Sequence, residues 1–152
     1  MREITVSREV AAPAAHVWQI LTDVESAPQV VSAISDVERV DGGGEFGVGT
    51  AWRETREAFG RQATEELRVT AVDPGRAYVV EADGRGARYR STVAVEPVNA
   101  DHSRLSMTFG GEARGAMSRA FDATFGRLFA GATRRALEQD LRDIAFAAEQ
   151  SS

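Results

Sequence analysis

The strongest constraint on the fold lies between residues 48 and 112, where β-rich segments are separated by very short turn signals. The segments span residues 48–58, 61–72, 76–83, 87–96 and 103–112. The signals between them are Phe-Gly, Asp-Pro-Gly, Asp-Gly-Arg-Gly and Asn-Ala-Asp. Connections this short join adjacent antiparallel strands. With further strands predicted at residues 3–10 and 36–40, the sequence indicates one seven-stranded antiparallel sheet.

Helical patterns flank these strands. Pro13 suits a first helical turn and is followed by Val17, Trp18 and Leu21 at helical spacing, and a second short helix is predicted around Pro28. The segment 116–148 carries a broad apolar stripe, formed by Met117, Phe121, Phe125, Leu128, Phe129, Ala132, Leu137, Leu141 and Ile144. The order predicts an α+β fold in which a long terminal helix packs on one face of the sheet.

Composition removes several classes of chemistry. The 152 residues fit a single domain, and we expect one domain over residues 1–152. There is no cysteine, which excludes disulfides and thiolate ligands or nucleophiles. All 18 basic residues are arginine, which excludes Schiff-base chemistry and a Walker lysine. The glycines from Gly42 to Gly49 run into a strand, so a hairpin loop is favoured over a phosphate loop.

Charge and histidine content argue against several partners. The net charge of −5 has no basic block, so we expect no nucleic-acid partner. His16 and His102 lie in different elements without a pairing motif, so we expect neither metal nor cofactor. No apolar run reaches transmembrane length, and the N-terminus lacks a signal-peptide core. We therefore expect a cytoplasmic monomer or homodimer.

The inward faces of the strands mix large and small side chains. Three sets share a face by alternation: Tyr89, Ser91 and Val93; Leu105, Met107 and Phe109; Leu67, Val69 and Ala71. An apolar hollow with a few polar groups is the usual form of a small-molecule site. The alternative is that these faces simply pack against the helix, and periodicity alone favours that alternative.

The sequence resembles a known protein superfamily. ITVSREVAAPAAHVWQILTDVESAPQVV is similar to the first strand and helix pair of START-like (SRPBCC, Bet v 1-like) proteins. VGTAWRETREAFGRQATEELRVTAVDPGRAYVVEA resembles the meander of the polyketide cyclase/dehydrase-like branch. The resemblance covers essentially the whole chain. It implies a helix-grip fold, a curved sheet around the C-terminal helix with a hydrophobic pocket between them, but no catalytic motif.

Polar residues on apolar strand faces are the candidate chemical groups. Trp52, Glu54 and Arg56 alternate on one face, Glu65 shares a face with Leu67, and Arg8 shares one with Val6. Inward-facing charges would need partners and could orient a carbonyl or phenolic ligand. A charged, solvent-facing hairpin explains the same pattern. We favour solvent for Arg56 and Glu65, and weigh both interpretations equally for Glu54 and Tyr89.

Three functional hypotheses follow. The first is a binding protein that holds a lipid, quinone or aromatic polyketide-like molecule between sheet and helix. Its expected contacts are Trp52, Leu67, Val69, Ser91, Val93, Met107, Phe109, Phe121, Phe125 and Leu128. The second is a polyketide cyclase or dehydratase in which Glu54 and Tyr89 move protons. The third is an accessory subunit that binds another protein.

Overall fold

The architecture is that of a helix-grip fold, seen in a computed structural model. The structure describes the backbone of residues 2–58, 60–84, 87–113 and 117–151. Side chains are described for residues 3–57, 60–83, 88–111 and 131–151. The predicted stripe residues Phe121, Phe125 and Leu128 therefore lie outside the described side chains. Their backbone belongs to the long C-terminal helix.

Seven strands and three α-helices make up the described elements, with a short 3₁₀ turn at Val24–Ser26. The strands are β1 (Arg2–Val10), β2 (Ile34–Arg39), β3 (Ala51–Ala58), β4 (Arg61–Asp73), β5 (Ala77–Gly84), β6 (Ala87–Pro97) and β7 (Ser103–Ala113). The helices are α1 (Ala14–Thr22), α2 (Ala27–Val30) and α3 (Met117–Gln150).

The sheet is antiparallel throughout, with the order β1-β7-β6-β5-β4-β3-β2. Strands β2 to β7 form a meander, and β1 joins it beside β7, so β1 and β2 are the two edges. The curved sheet and the long helix confirm the predicted fold. Every predicted strand is present, and the boundaries differ by no more than a few residues.

The core lies between the concave face of the sheet and the C-terminal part of α3. Leu141, Ile144, Ala145 and Ala148 repeat at helical spacing and are buried against the sheet. Contact between α3 and β1 is extensive, and α1 packs on α3 as well. The C-terminal end of α3 is fixed because Glu149 accepts a hydrogen bond from the Ala11 amide at 2.9 Å.

A β-bulge in β4 changes the predicted pattern of faces. Val69 pairs with Val80, and the neighbouring Val79 pairs with Ala71. Thr70 therefore has no partner on β5 and is the extra residue on β4. Ala71 is consequently exposed, and the prediction that it shares the inward face with Val69 is wrong. A two-residue alternation cannot reveal an inserted residue, because either register has the same period.

The glycine-rich segment forms the loop between β2 and β3. Gly42, Gly43 and Gly44 have φ angles of +86°, +90° and +103°, the left-handed region that glycine adopts without strain. A Cβ atom at any of the three would have no neighbour within 4 Å among the described residues. Further along the loop, Phe46 packs edge-on against Tyr78, with ring centroids 5.0 Å apart. The hairpin-loop expectation for this segment is confirmed.

Candidate functional site

A charged trio connects the sheet to α3 on the concave side. Arg56 Nη1 donates to the two carboxylate oxygens of Asp140 at 2.9 and 3.1 Å. The Arg56 Nε atom lies 3.5 Å from Glu54 Oε2. We call Glu54, Arg56 and Asp140 the charged trio. Two carboxylates share one guanidinium, so the trio carries a net charge of −1 when both are ionised.

Burial of the trio overturns one sequence-based expectation. The side-chain exposure is 6% for Asp140, 16% for Glu54 and 30% for Arg56. The prediction that Arg56 faces solvent is therefore wrong, because its guanidinium points towards α3. The cause is Asp140, an acid on the apolar face of the helix that can be buried only with a cation beside it.

The trio has unusual proton affinities. Burial raises the pKa of Asp140 to about 6, although Arg56 opposes the shift. Burial by itself lowers the pKa of Arg56. The nearby carboxylates of Asp140 and Glu54 have the larger effect, so the pKa of Arg56 lies above its ordinary value. The guanidinium therefore stays charged, while Asp140 can exchange a proton close to neutral pH.

Glu54 is held in place from two sides. Trp52 Nε1 donates to Glu54 Oε1 at 3.3 Å, and Arg56 contacts the second oxygen. Trp52 itself is buried within the hydrophobic core. These contacts place Glu54 on the inner face of the sheet, which decides between the two interpretations that its sequence pattern left open.

Glu65 lies directly opposite Glu54 across the β3–β4 pair. The residue is exposed overall, as expected for this hairpin. Neighbouring side chains still partly desolvate its carboxyl group, and together with the repulsion from Glu54 this raises the pKa of Glu65. Two like charges in register across a strand pair disfavour each other.

An aromatic pair lies further along the same face. The rings of Tyr89 and Phe109 are stacked, with centroids 5.6 Å apart and an interplanar angle of 19°. Gly111 on β7 lies directly opposite Tyr89 on β6, and a Cβ atom at Gly111 would lie 3.2 Å from Tyr89 Cδ1. Glycine therefore gives the phenol ring its space. Burial, followed by repulsion from Glu65, raises the pKa of Tyr89, so its hydroxyl remains protonated at neutral pH.

Burial along β6 and β7 falls steadily towards this aromatic pair. Val95 and Leu105 have 0% exposure, and Val93 has 5%. Ser91 and Tyr89 on β6, and Met107 and Phe109 on β7, are only half-buried. The described residues thus fill one end of the concave face and leave the other end partly uncovered.

The remaining predicted contacts divide between these two zones. Leu67 is half-buried and lies opposite Trp52. Trp52, Val69 and Val93 belong to the packed core. Arg8 lies away from the trio, at the edge of the sheet beside α3, where it lines a separate groove.

The histidines take no part in this arrangement. His16 Nε2 lies 2.7 Å from Ser151 Oγ, and His102 Nδ1 lies 3.2 Å from Asn99 Oδ1. Within the described part of the chain, no three His, Asp or Glu residues form a group that could hold a metal ion. Among the described helices, none is long and apolar enough to cross a membrane.

Sequence reasoning missed Asp140 and Tyr78. Asp140 lies among Leu137, Leu141 and Ile144, and an acid within an apolar helical stripe was the available signal. Tyr78 is buried between Trp18 and Phe46, with its hydroxyl 3.5 Å from the Leu21 carbonyl oxygen. Burial, followed by the charge of Glu54, raises the pKa of Tyr78 well above its ordinary value.

Comparison with known proteins identifies the family. The family model described as polyketide cyclase / dehydrase and lipid transport matches residues 1–149. The chain belongs to this family. A comparison with curated proteins found no match by sequence.

Three solved structures share the fold of this polyketide cyclase/dehydrase family member, each at 20% sequence identity to it or less. The Zhui aromatase/cyclase from Streptomyces sp. R1128 has a TM-score of 0.81 at 20% identity, over 98% of this chain and 94% of that one. A START superfamily protein from Mycobacterium smegmatis has a TM-score of 0.79 at 17% identity, over 99% of both chains. Norcoclaurine synthase from Thalictrum flavum, in complex with dopamine and hydroxybenzaldehyde, has a TM-score of 0.68 at 18% identity, over 99% and 88%.

Proposed function

We propose that the protein binds a small hydrophobic molecule, most readily an aromatic one, on the partly uncovered end of the concave face. The fall in burial from Val95 to Tyr89 along one strand carries this proposal. A half-buried row of apolar and aromatic side chains can gain further burial from a ligand, at about 25 cal/mol per Å² of apolar area. Family membership supports the same conclusion, since the family description includes lipid transport.

The contacts in this proposal are of three kinds. Tyr89 and Phe109 provide a flat aromatic surface on which a ring can stack. Leu67, Ser91 and Met107 are half-buried neighbours on the same face. Trp52, Val69 and Val93 support the site from the core, and Phe121, Phe125 and Leu128 of α3 complete the proposed set.

The charged trio gives the site its polarity. An apolar wall with a few polar groups fixes the orientation of a ligand as well as its affinity. Glu54 lies on the inner face with one oxygen contacted by Trp52 and the other by Arg56. A hydroxyl group on the ligand would donate to this carboxylate, so phenols are expected to bind more tightly than the corresponding hydrocarbons.

Thermal denaturation tests binding. We expect 1-naphthol, menadione or oleic acid to raise the melting temperature, because a ligand at 100 times its Kd stabilises by about 2.7 kcal/mol. Phe109→Ala should weaken binding of the aromatic ligands by about tenfold through loss of the stacked ring. Phe146→Ala is the matched control, since Phe146 is 65% exposed on α3. If no ligand stabilises the protein, or if both variants bind equally, the proposal is wrong.

Acid–base catalysis is a second candidate, in which a polyketide-like ketone is cyclised or dehydrated. The observation in its favour is a protonated phenol at Tyr89 on the same face as the carboxylate of Glu54. Turnover of a poly-β-ketone substrate by Glu54→Gln and Tyr89→Phe tests this role. We expect losses of at least about 100-fold. Undiminished turnover by both variants would remove these residues from any mechanism.

The described surface offers less support for the accessory-subunit hypothesis. The large hydrophobic side chains that are exposed are Val48, Val98 and Phe146. They belong to the β2–β3 loop, the β6–β7 turn and α3, respectively. Three residues in three separate segments do not select a docking face.

A further inference from the structure

A second concave site lies at the opposite edge of the sheet from the charged trio. It is a groove of about 290 Å³ between the edge strand β1 and the C-terminal half of α3. The strand contributes Thr5, Val6, Ser7 and Arg8, and the helix contributes Arg134, Glu138, Leu141 and Arg142. We call this the β1–α3 groove. Val6 and Leu141, which are buried, form its floor.

The lining of the groove is cationic although the whole chain is acidic. Three arginines and one glutamate give the lining a net charge of +2, against −5 for the whole chain. Within the described part of the chain, no carboxylate lies within 4.0 Å of the guanidinium groups of Arg8, Arg134 or Arg142. Arg142 donates to the neutral Gln139 side chain, and its charge also acts on Asp143, whose pKa it helps to lower.

The main chain of β1 adds further donors. Arg134 Nη1 donates to the Thr5 carbonyl oxygen at 3.2 Å, which shows that this carbonyl points away from β7. In an antiparallel strand, the N–H and C=O of one residue point to the same side, and residues two apart share that side. The amides of Thr5 and Ser7 therefore point outwards from the sheet edge, beside the arginines.

We propose that the β1–α3 groove binds a small dianion through phosphate or carboxylate oxygens. Guanidinium groups form paired hydrogen bonds with such oxygens, and outward-facing amides provide a second set of donors. A charge of −2 on the ligand matches the +2 of the lining. The residues that carry this proposal differ from those that carry the hydrophobic-ligand proposal, so either proposal can fail without the other.

Calorimetric titration at low ionic strength tests the proposal, with inorganic phosphate and succinate as probes and acetate as the monoanion. We expect at least one dianion to bind saturably, with a Kd of about 1 mM or below, and more tightly than acetate. Binding of phosphate alone assigns the groove to phosphate compounds, and binding of succinate alone assigns it to dicarboxylates. The absence of saturable binding by both overturns the proposal.

Variants locate the binding. Arg8→Gln and Arg134→Gln should each weaken binding by about fivefold or more, whereas Glu138→Gln should strengthen it by about two- to fivefold. Arg104→Gln, an exposed arginine on β7, is the matched control and should bind like the unmodified protein. The Arg8 side chain is exposed and has no ion pair among the described residues, so we expect its replacement to leave the fold intact. Equal weakening by Arg8→Gln and Arg104→Gln would show unspecific anion binding and overturn the proposal.

Phe109→Ala should leave dianion binding unchanged, which separates this test from that of the hydrophobic site.

Discussion

The two ends of strands β6 and β7 differ in how they are covered, although they share one sequence pattern. At one end, Val95 and Leu105 are completely buried beneath α1 and the last turns of α3. At the other end, Tyr89 and Phe109 stack on each other and remain half-buried. Alternation places all four on the concave face. What differs is the cover, and cover is a property of the tertiary structure that a strand pattern does not contain.

The largest expected effect comes from truncating the packed end. Leu105→Ala should lower the free energy of unfolding by about 3–4 kcal/mol, because it leaves a cavity among buried aliphatic groups. Phe109→Ala removes a larger side chain but should cost only about 1–2 kcal/mol, because that ring is already half-exposed. Urea denaturation of both variants measures the difference. Equal losses would mean that the two ends are packed alike.

The charged trio gives a smaller effect that depends on pH. Arg56→Met should destabilise the protein by about 2–3 kcal/mol at pH 8, because Asp140 is left buried and unpaired. At pH 5 the loss should be much smaller. The pKa of Asp140 in the folded protein is about 6, above its ordinary value of 3.8, so the folded state binds the proton more tightly. Stability due to this group therefore falls as pH rises from about 4 to about 6 and stays low above that range.

Two controls accompany this measurement. Arg53→Met changes an exposed arginine on the same strand and should have an effect below about 1 kcal/mol at both pH values. The double variant Arg56→Met/Asp140→Asn removes both charges and should lose the dependence on pH. A loss of stability in Arg56→Met that is the same at pH 5 and pH 8 contradicts the buried ion pair.

The smallest effect concerns the space beside the aromatic pair. Gly111→Ala should change stability by less than about 1 kcal/mol, because the half-buried Tyr89 ring can move away from the new methyl group. Its signature is a change in the tyrosine signal in near-ultraviolet circular dichroism. Among the described side chains, a Cβ at Gly131 on α3 would meet only that of Arg135, at 3.8 Å, so Gly131→Ala should instead stabilise the helix by about 0.5–1 kcal/mol. An unchanged tyrosine signal in Gly111→Ala would show that the glycine does not set the ring position.

The sequence predicts the order of elements well because turn signals and periodicity are local. Asp73-Pro74-Gly75 marks the β4–β5 turn, and the alternation of Tyr89, Ser91 and Val93 gives the correct face. The bulge before Ala71 is not predicted, since inserting one residue leaves both flanking patterns intact.

The candidate site is predictable only in part. The alternation that places Glu54 and Arg56 together follows from the sequence, but the partner of Arg56 is Asp140, which lies 84 residues away. No local rule connects the two positions. The choice between a solvent-facing hairpin and an inward-facing charge is decided by the desolvation of Asp140, and this energy exists only after α3 has packed on the sheet.

The run of glycines in the β2–β3 loop has a consequence for chirality. Gly42, Gly43 and Gly44 all have positive φ angles, and no described atom lies within 4 Å of where a Cβ would be at any of them. An L-residue there would be strained by its own backbone and not by any neighbour. A D-alanine introduced by chemical synthesis would fit the same torsion angles and would reduce the freedom of the unfolded chain. The mirror-image residue is thus the natural way to stiffen this loop without altering what it touches.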